Sequence, residues 1–206
     1  VDTVSGSVTD RGSGGPALSL CFDEGGDALL ARDSFALVVG MLLDQQVPME
    51  RAFLGPWRLA ERMGTPSRLD VARIAAYDPE AFAALVAAPP AVHRFPGSMA
   101  GRIQGLARHV MVEYAGDAAA IWRSVPTGHA LHQRLVALPG YGDQKARILI
   151  ALLGKQLGVR PRGWREAAGA YGEDGSHRSV ADVVDAASLV AVRAFKQESK
   201  AAAAAR

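Results

Sequence analysis

The sequence predicts an all-α protein, and three observations predict it. Alanine and leucine are abundant, β-branched residues come only in short runs, and apolar residues recur at helical spacing in segment after segment. With 206 residues, 49% of them apolar, the chain suits one generous domain or two small lobes sharing a cleft around a proper core. A net charge of +2 and a pI near 8.9 permit nucleic-acid binding through a local basic patch without demanding it. The single cysteine, Cys21, excludes both an intrachain disulfide and a four-cysteine iron–sulfur cluster, and it suits a reducing compartment. No run reaches the ~18 apolar residues that a bilayer span needs, and no signal peptide is visible, so a soluble, cytoplasmic protein is expected.

In chain order, residues 1–17 are rich in Gly, Ser, Thr and Asp without periodicity and read as a flexible N-terminal arm. Residues 18–200 read as the folded domain. A short helix is expected over Asp27–Arg32. Ser34 is placed to cap a second helix whose apolar face carries Phe35, Val38, Leu42 and Leu43. That helix ends in Asp44-Gln45-Gln46-Val47-Pro48, where Pro48 suits the first turn of the next helix. The stretch from Pro48 to Met63 reads as a helix or pair of helices interrupted at Gly55-Pro56. Asp70–Ala76 is short and helical, and Asp78-Pro79-Glu80 is a start signal for a helix that Pro89-Pro90 stops. After the loop Val92–Ser98, Ser98 caps a long helix to about Tyr114. A final helix begins near Val180 or Asp185, and residues 201–206 read as a frayed tail.

The organising stretch is Leu138-Pro139-Gly140-Tyr141-Gly142-Asp143-Gln144-Lys145-Ala146. Apolar helical runs lead in from Leu131 and out to Leu157, giving a helical hairpin over 131–157. Pro139 ends the first helix, Gly140 and Gly142 can take positive φ, and Asp143 is placed to cap the second helix. Backbone N–H groups in such a turn, at the positive end of a helix, attract an anion. Leu138-Pro139-Gly140-Tyr141-Gly142 also reads as an ordinary helix-to-helix turn.

LPGYGxxKA resembles the helix-hairpin-helix element of the base-excision DNA glycosylases, the superfamily of endonuclease III, adenine glycosylase and alkyl-base glycosylase. The resemblance covers roughly Asp33 to Glu166 and includes, in family order, the Gln45-Gln46 helix end and the loop with His93 and Arg94 followed by an amphipathic helix. It implies a two-lobed helical fold with a DNA-binding cleft, a monomer, duplex DNA as partner and a nucleoid-associated location. It also implies that Gly140, Tyr141, Gly142 and Lys145 lie at a gripped phosphate. A potassium or sodium ion would sit at the backbone of Leu138 and Gly140. Gln46, with Gln45 beside it, would fill the gap left by a flipped base, since a carboxamide is both donor and acceptor.

The catalytic groups of the family are not matched. Its lysine falls on Gln144, with Lys145 one place along, so no lyase activity is expected. At the position of its aspartate the chain reads Arg160-Pro161-Arg162-Gly163-Trp164. The transition state of N-glycoside cleavage has oxocarbenium character, which a carboxylate stabilises. Glu166, nearest in sequence, and Asp44, beside the glutamines, are the candidates. Otherwise the lesion leaves readily without an acid, as a cationic alkylated base does, or the fold binds damaged DNA without cutting. Arg160, Arg162 and Arg165 suit phosphate contacts and Trp164 suits base stacking; a basic loop with a packed Trp is the plainer alternative. A hairpin that docks a protein partner is the remaining one. His129 and His132 stand three apart, with no nearby Glu or Cys to complete a zinc site.

Overall fold

Where an apolar helix is buried on every side, its carbonyl end has to be satisfied by the rest of the fold. Helix α2 (Ser34–Leu43) is in that position, with every residue from Phe35 to Leu43 buried. The computed structural model describes residues 18–204, and the expected N-terminal arm lies outside them. Among the described residues there are helices and no strand; one isolated β-bridge joins Thr127 to Arg162. Helix α1 (Glu24–Arg32) and helix α3 (Met49–Arg62) pack on α2. The short α4 (Val71–Ala76) and α5 (Pro79–Ala87) pack against the long α6 (Pro96–Tyr114). After a 3₁₀ turn at Ala118–Ile121 come α7 (Gly128–Val136), α8 (Asp143–Gln156) and the short α9 (Trp164–Ala168). Helix α10 (Ala186–Ala204) closes the chain.

Several helix ends differ from the sequence reading, each for a local reason. Asp33, not Ser34, caps α2, because its carboxylate reaches the amides of Phe35 and Ala36 and also that of Leu69 at 2.6 Å. One side chain thereby fixes both α2 and the loop before α4. Helix α3 runs straight through Gly55-Pro56, its packing on α2 outweighing the backbone bond that Pro56 forfeits. Helix α6 starts at Pro96, whose φ is already helical, and not at Ser98. The last helix starts at Ala186, while Val180–Asp182 is a separate 3₁₀ turn. The tail expected to fray is helical through Ala204.

The hairpin forms where the sequence puts it, joining α7 to α8 across Ala137–Gly142. Gly140 has φ +83°, and a Cβ there would lie 2.5 Å from Leu42 Cδ1, so only glycine fits. Gly142 does not take positive φ; it is extended, at φ −117° and ψ −179°, and is itself the N-cap of α8, so Asp143 is the first helical residue and not the cap. Behind the hairpin, the Tyr141 hydroxyl donates to the Val38 carbonyl at 2.7 Å in the core. The Lys145 ammonium donates to the carbonyls of Met41 and Leu42 at 2.6 and 2.7 Å. A cation at a helix C-terminus also favours the helix dipole. At its far end α8 holds the chain beyond residue 170. Lys155 bonds Asp182 at 2.6 Å and the Glu173 carbonyl at 2.7 Å, and the Gln156 carboxamide donates to Ala181 and Val183.

Tyr141→Phe is expected to lower the unfolding free energy by about 1 kcal/mol, the net value of one intramolecular hydrogen bond. Urea denaturation checks it, and an unchanged midpoint would mean that the 2.7 Å bond adds nothing to stability.

Candidate nucleic-acid interface

Five residues separate α2 from α3, and their backbone is held from several sides. The Gln45 carboxamide folds back on its own helix, Nε2 donating to the Leu42 carbonyl at 2.9 Å, while Oε1 accepts from Arg102 at 3.2 Å. The Gln45 carbonyl lies 2.9 Å from His93 Nε2, and His93 Nδ1 is 3.1 Å from the Phe95 amide. Because Nδ1 must accept from that amide, the proton sits on Nε2 and the ring is neutral. His93 is fully buried, so it does not touch solvent phosphate or line the cleft; it locks the glutamine turn to the loop before α6. Its pKa is depressed, first by burial and then by repulsion from Arg51, Lys145 and Arg94.

Gln46 is the opposite of its neighbour. It stands at φ +56°, a left-handed conformation uncommon for residues with a Cβ, and its exposed carboxamide has no hydrogen-bond partner among the described residues. Backbone strain is thus held at the glutamine of this pair whose side chain is free to project. Phe95, 44% exposed with the Arg94 guanidinium 4.8 Å above its ring, lies at the other end of the His93 tie. Sequence reading passed over this phenylalanine; an aromatic next to a helix-starting proline in a polar loop was the available signal.

Asp44, Gln46, Gln144 and Lys145 line one cavity of about 770 Å³, with Tyr171 from the chain after α9 and Phe195 and Lys196 from α10. Burial pushes the Asp44 carboxyl up, opposed by the charges of Lys196 and Lys145. Burial pulls the Lys145 ammonium down to about 8, helped by Arg102 and opposed by Asp44. A lysine in that range is a usable nucleophile or base near neutral pH. Glu166 is not part of this cavity. It is exposed and lines a separate recess of about 300 Å³ with His129, His132 and Arg147. Of the two candidate carboxylates, only Asp44 meets Gln46 and Lys145. No group of three or more His, Cys, Asp and Glu side chains suited to a metal ion occurs among the described residues.

On the hairpin face, no side chain caps α8, so its first-turn amides are left for solvent or an anion. A Cβ at Gly142 would meet nothing within 4 Å, and the approach is open. The Asp143 carboxylate lies beside this opening, drawn down by its bonds to Arg147 at 2.8 Å and His132 at 2.9 Å. The Leu138 carbonyl accepts the Tyr141 amide at 3.0 Å, which uses one of its two lone pairs.

Two expected DNA contacts are buried instead, and two of the expected arginines are engaged within the chain. Tyr141 is buried with its hydroxyl engaged on α2. Trp164 is buried, and its ring packs so closely on α8 that a Cβ at Gly154 would come within 2.4 Å of it, so it cannot stack on a base. Arg160 donates to the Gly154 carbonyl at 2.8 Å, closing α8. Arg165 stacks 4.5 Å from the Trp164 ring and forks onto Asp174 at 2.7 and 2.9 Å. Arg162 is exposed with no side-chain bond among the described residues.

The His93 tie predicts a pH-dependent stability. A histidine whose folded pKa is depressed must stay neutral to keep its bonds, so its contribution is complete above the ordinary histidine pKa of about 6.5 and is lost as pH falls from there toward the folded value. The melting temperature should fall between about pH 7.5 and 5, and the fall should be shallower in His93→Asn; parallel curves for the two proteins would refute the coupling.

No family model, curated protein or solved structure matches this chain.

Proposed function

We propose that the protein binds duplex DNA and cleaves the N-glycosidic bond of a damaged or mispaired base, as a base-excision DNA glycosylase of helix-hairpin-helix type with two lobes around a DNA cleft. The observation that carries this proposal is convergence at one cavity: Asp44 and Gln46 from the end of α2, and Lys145 from the hairpin helix. Open amides at Gly142 and the first turn of α8 receive a phosphate, with Arg162 a further phosphate contact. The carbonyls of Leu138 and Gly140 are the donors for a potassium or sodium ion between hairpin and phosphate. Gln46, strained and exposed, enters the duplex where the base has left, and Phe95 abuts the neighbouring pair. Asp44, in place of Glu166, stabilises the positive charge that develops on the sugar.

The depressed pKa of Lys145 favours a second chemistry within the same function. As a neutral amine, Lys145 can keep both carbonyl bonds with its two protons and direct its lone pair away from α2. Attack on the sugar C1′ forms a C–N bond as the glycosidic bond breaks, and the base departs with the electron pair and takes up a proton. Loss of a proton from nitrogen and opening of the sugar ring, with O4′ protonated, then give an imine. Sequence register argued against this route; the long side chain of Lys145 makes it available from one position further along.

Binding to a duplex carrying a stable abasic analogue, at two salt concentrations, tests the function. Tighter binding than to the intact duplex, weakening with salt, is expected. Absence of binding to either duplex at low salt would refute it. Gly142→Glu places a carboxylate at the open amides without a steric clash and should weaken binding roughly tenfold. Gln46→Ala should lower the preference for the abasic site more than overall affinity. Asp44→Asn should reduce base release by about a hundredfold or more, while Glu166→Gln leaves it unchanged. Borohydride either traps an adduct at Lys145, absent in Lys145→Arg, or leaves the carboxylate route alone. Abasic binding without release of any base would make the protein a binder of damaged DNA and not an enzyme.

A further inference from the structure

Helix α10 builds one wall of the Asp44–Lys145 cavity, through Phe195, Lys196 and Ser199, yet little holds it there. Of its nineteen residues Leu189 and Val192 alone are buried, both in its first half, where it packs on the 3₁₀ turn Val180–Asp182. Leu189, Val192, Lys196 and Ser199 follow at spacings of three, four and three, which puts them on one face of the helix, within about 80° of arc. The face that is apolar over the core is therefore polar over the cavity. An apolar stripe carried to the end would seal this half of the helix down; a lysine and a serine do not.

Among the described residues, α10 beyond Val192 is tied by an ion pair and a ring contact. Arg193 pairs with Glu50 of α3, and the Phe195 ring lies 5.1 Å from the Arg178 guanidinium. The Arg193 side chain is 53% exposed, so its pair is weak and open to screening by salt. The far side of the ring contact is fixed: the Arg178 amide donates to Asp182 at 2.8 Å, and Asp182 is bonded to Lys155 of α8. At the near end, Val183 is buried and its carbonyl accepts from Gln156 at 3.1 Å, which pins the chain up to that residue. From Asp185 onward the helix is one unit, the Asp185 carboxylate accepting from the Ser188 amide at 2.7 Å. Val184, 60% exposed, stands between the pinned residue and the capped helix. No glycine or proline interrupts α10, so it turns as a rod. A rotation of about 20° at Val184 would move Ser199, about 20 Å along the axis from Ala186, by about 7 Å and Leu189 by about 2 Å.

We infer that α10 is a hinged lid on the cavity, pivoting at Val184 and latched by the Arg193–Glu50 pair and by Phe195 against Arg178. Latched, it shields Asp44 and Lys145 from one side; released, it widens the way in for a ligand. The lid would regulate the site of the proposed glycosylase, but it rests on the walls of the cavity alone, whatever ligand enters. Partial exposure of Leu189 and Val192 on rotation makes the latched position the resting one.

Reductive methylation with formaldehyde and cyanoborohydride, located by mass spectrometry, reads access to the Lys145 amine without DNA, so its outcome is separate from that of the glycosylase proposal. Exposed Lys200 is the internal reference, and Lys155, engaged with Asp182, reports any general loosening. Neither Arg193 nor Glu50 lines the cavity, so substitutions there change access only through the lid. In Arg193→Glu the Lys145 rate should rise roughly threefold or more, the scale of an exposed ion pair turned to repulsion. The added negative charge alone would raise the Lys145 pKa and slow the reaction, so a rise reports access. Adding Glu50→Arg restores an ion pair with reversed charges and should return the rate to that of the unaltered protein. High salt should speed the reaction in the unaltered protein and leave Arg193→Ala unchanged. A Lys145 rate unmoved in Arg193→Glu, or not restored by the charge swap, would overturn the lid. Lys155 rising in step with Lys145 would overturn it too, because the whole fold and not α10 would then have opened.

Discussion

The hydrogen bonds between the hairpin and the carbonyl end of α2 are the constraint on which the rest of the structure depends. Helix α2 is buried along its length, so its terminal carbonyls cannot turn to water. Lys145 reaches two of them, and Tyr141 reaches Val38 one turn earlier, across more than a hundred residues of sequence. Gly140 lets the hairpin approach Leu42 closely enough for both. Removing Lys145 would therefore take the side-chain donor from the Met41 carbonyl as well as delete a charge, while Leu42 would keep Gln45, which is why arginine is the informative replacement at that position.

That tie also sets the chemistry. An ammonium drawn toward the end of a buried helix is partly desolvated, and its pKa falls; the carboxylate that ends the same helix is desolvated too, and its pKa rises. Each holds the other's shift in check, because Asp44 and Lys145 attract. Their mutual attraction therefore opposes what burial does to each. A structural need at the end of α2 and two ionisable groups shifted by burial at the cavity wall come from one arrangement.

The all-helical class was legible because patterning at helical spacing survives any tertiary context, and the hairpin because Pro139 and Gly140 leave the backbone few choices. Helix starts were less legible. Asp33 displaced Ser34 by bonding a third amide, on Leu69, that no local pattern announces. Side-chain direction was the least legible. Tyr141 and Trp164 look like exposed aromatics in polar turns, yet both are buried, one against α2 and the other against Gly154. Glu166 was favoured by nearness in sequence, but α9 presents it to a different recess. Gln46 was singled out only through the resemblance, with Gln45 beside it; in the structure the His93 tie and the positive φ of Gln46 separate them.

Lys145 shows why register alone is a poor judge of a lysine. On α8, Gln144, Lys145 and Ile148 line the cavity, while Ala146 and Leu149 are buried in the core. The cavity wall therefore spans two adjacent helical positions, about 100° of arc, and a side chain with four methylenes covers that arc from either. A shorter side chain would not have that latitude. The position before Lys145 carries a carboxamide, and the amine finds its support in the α2 carbonyls. Against the linear motif that the hairpin resembles, the lysine is out of register; in three dimensions an amine lines the cavity with a polar group beside it.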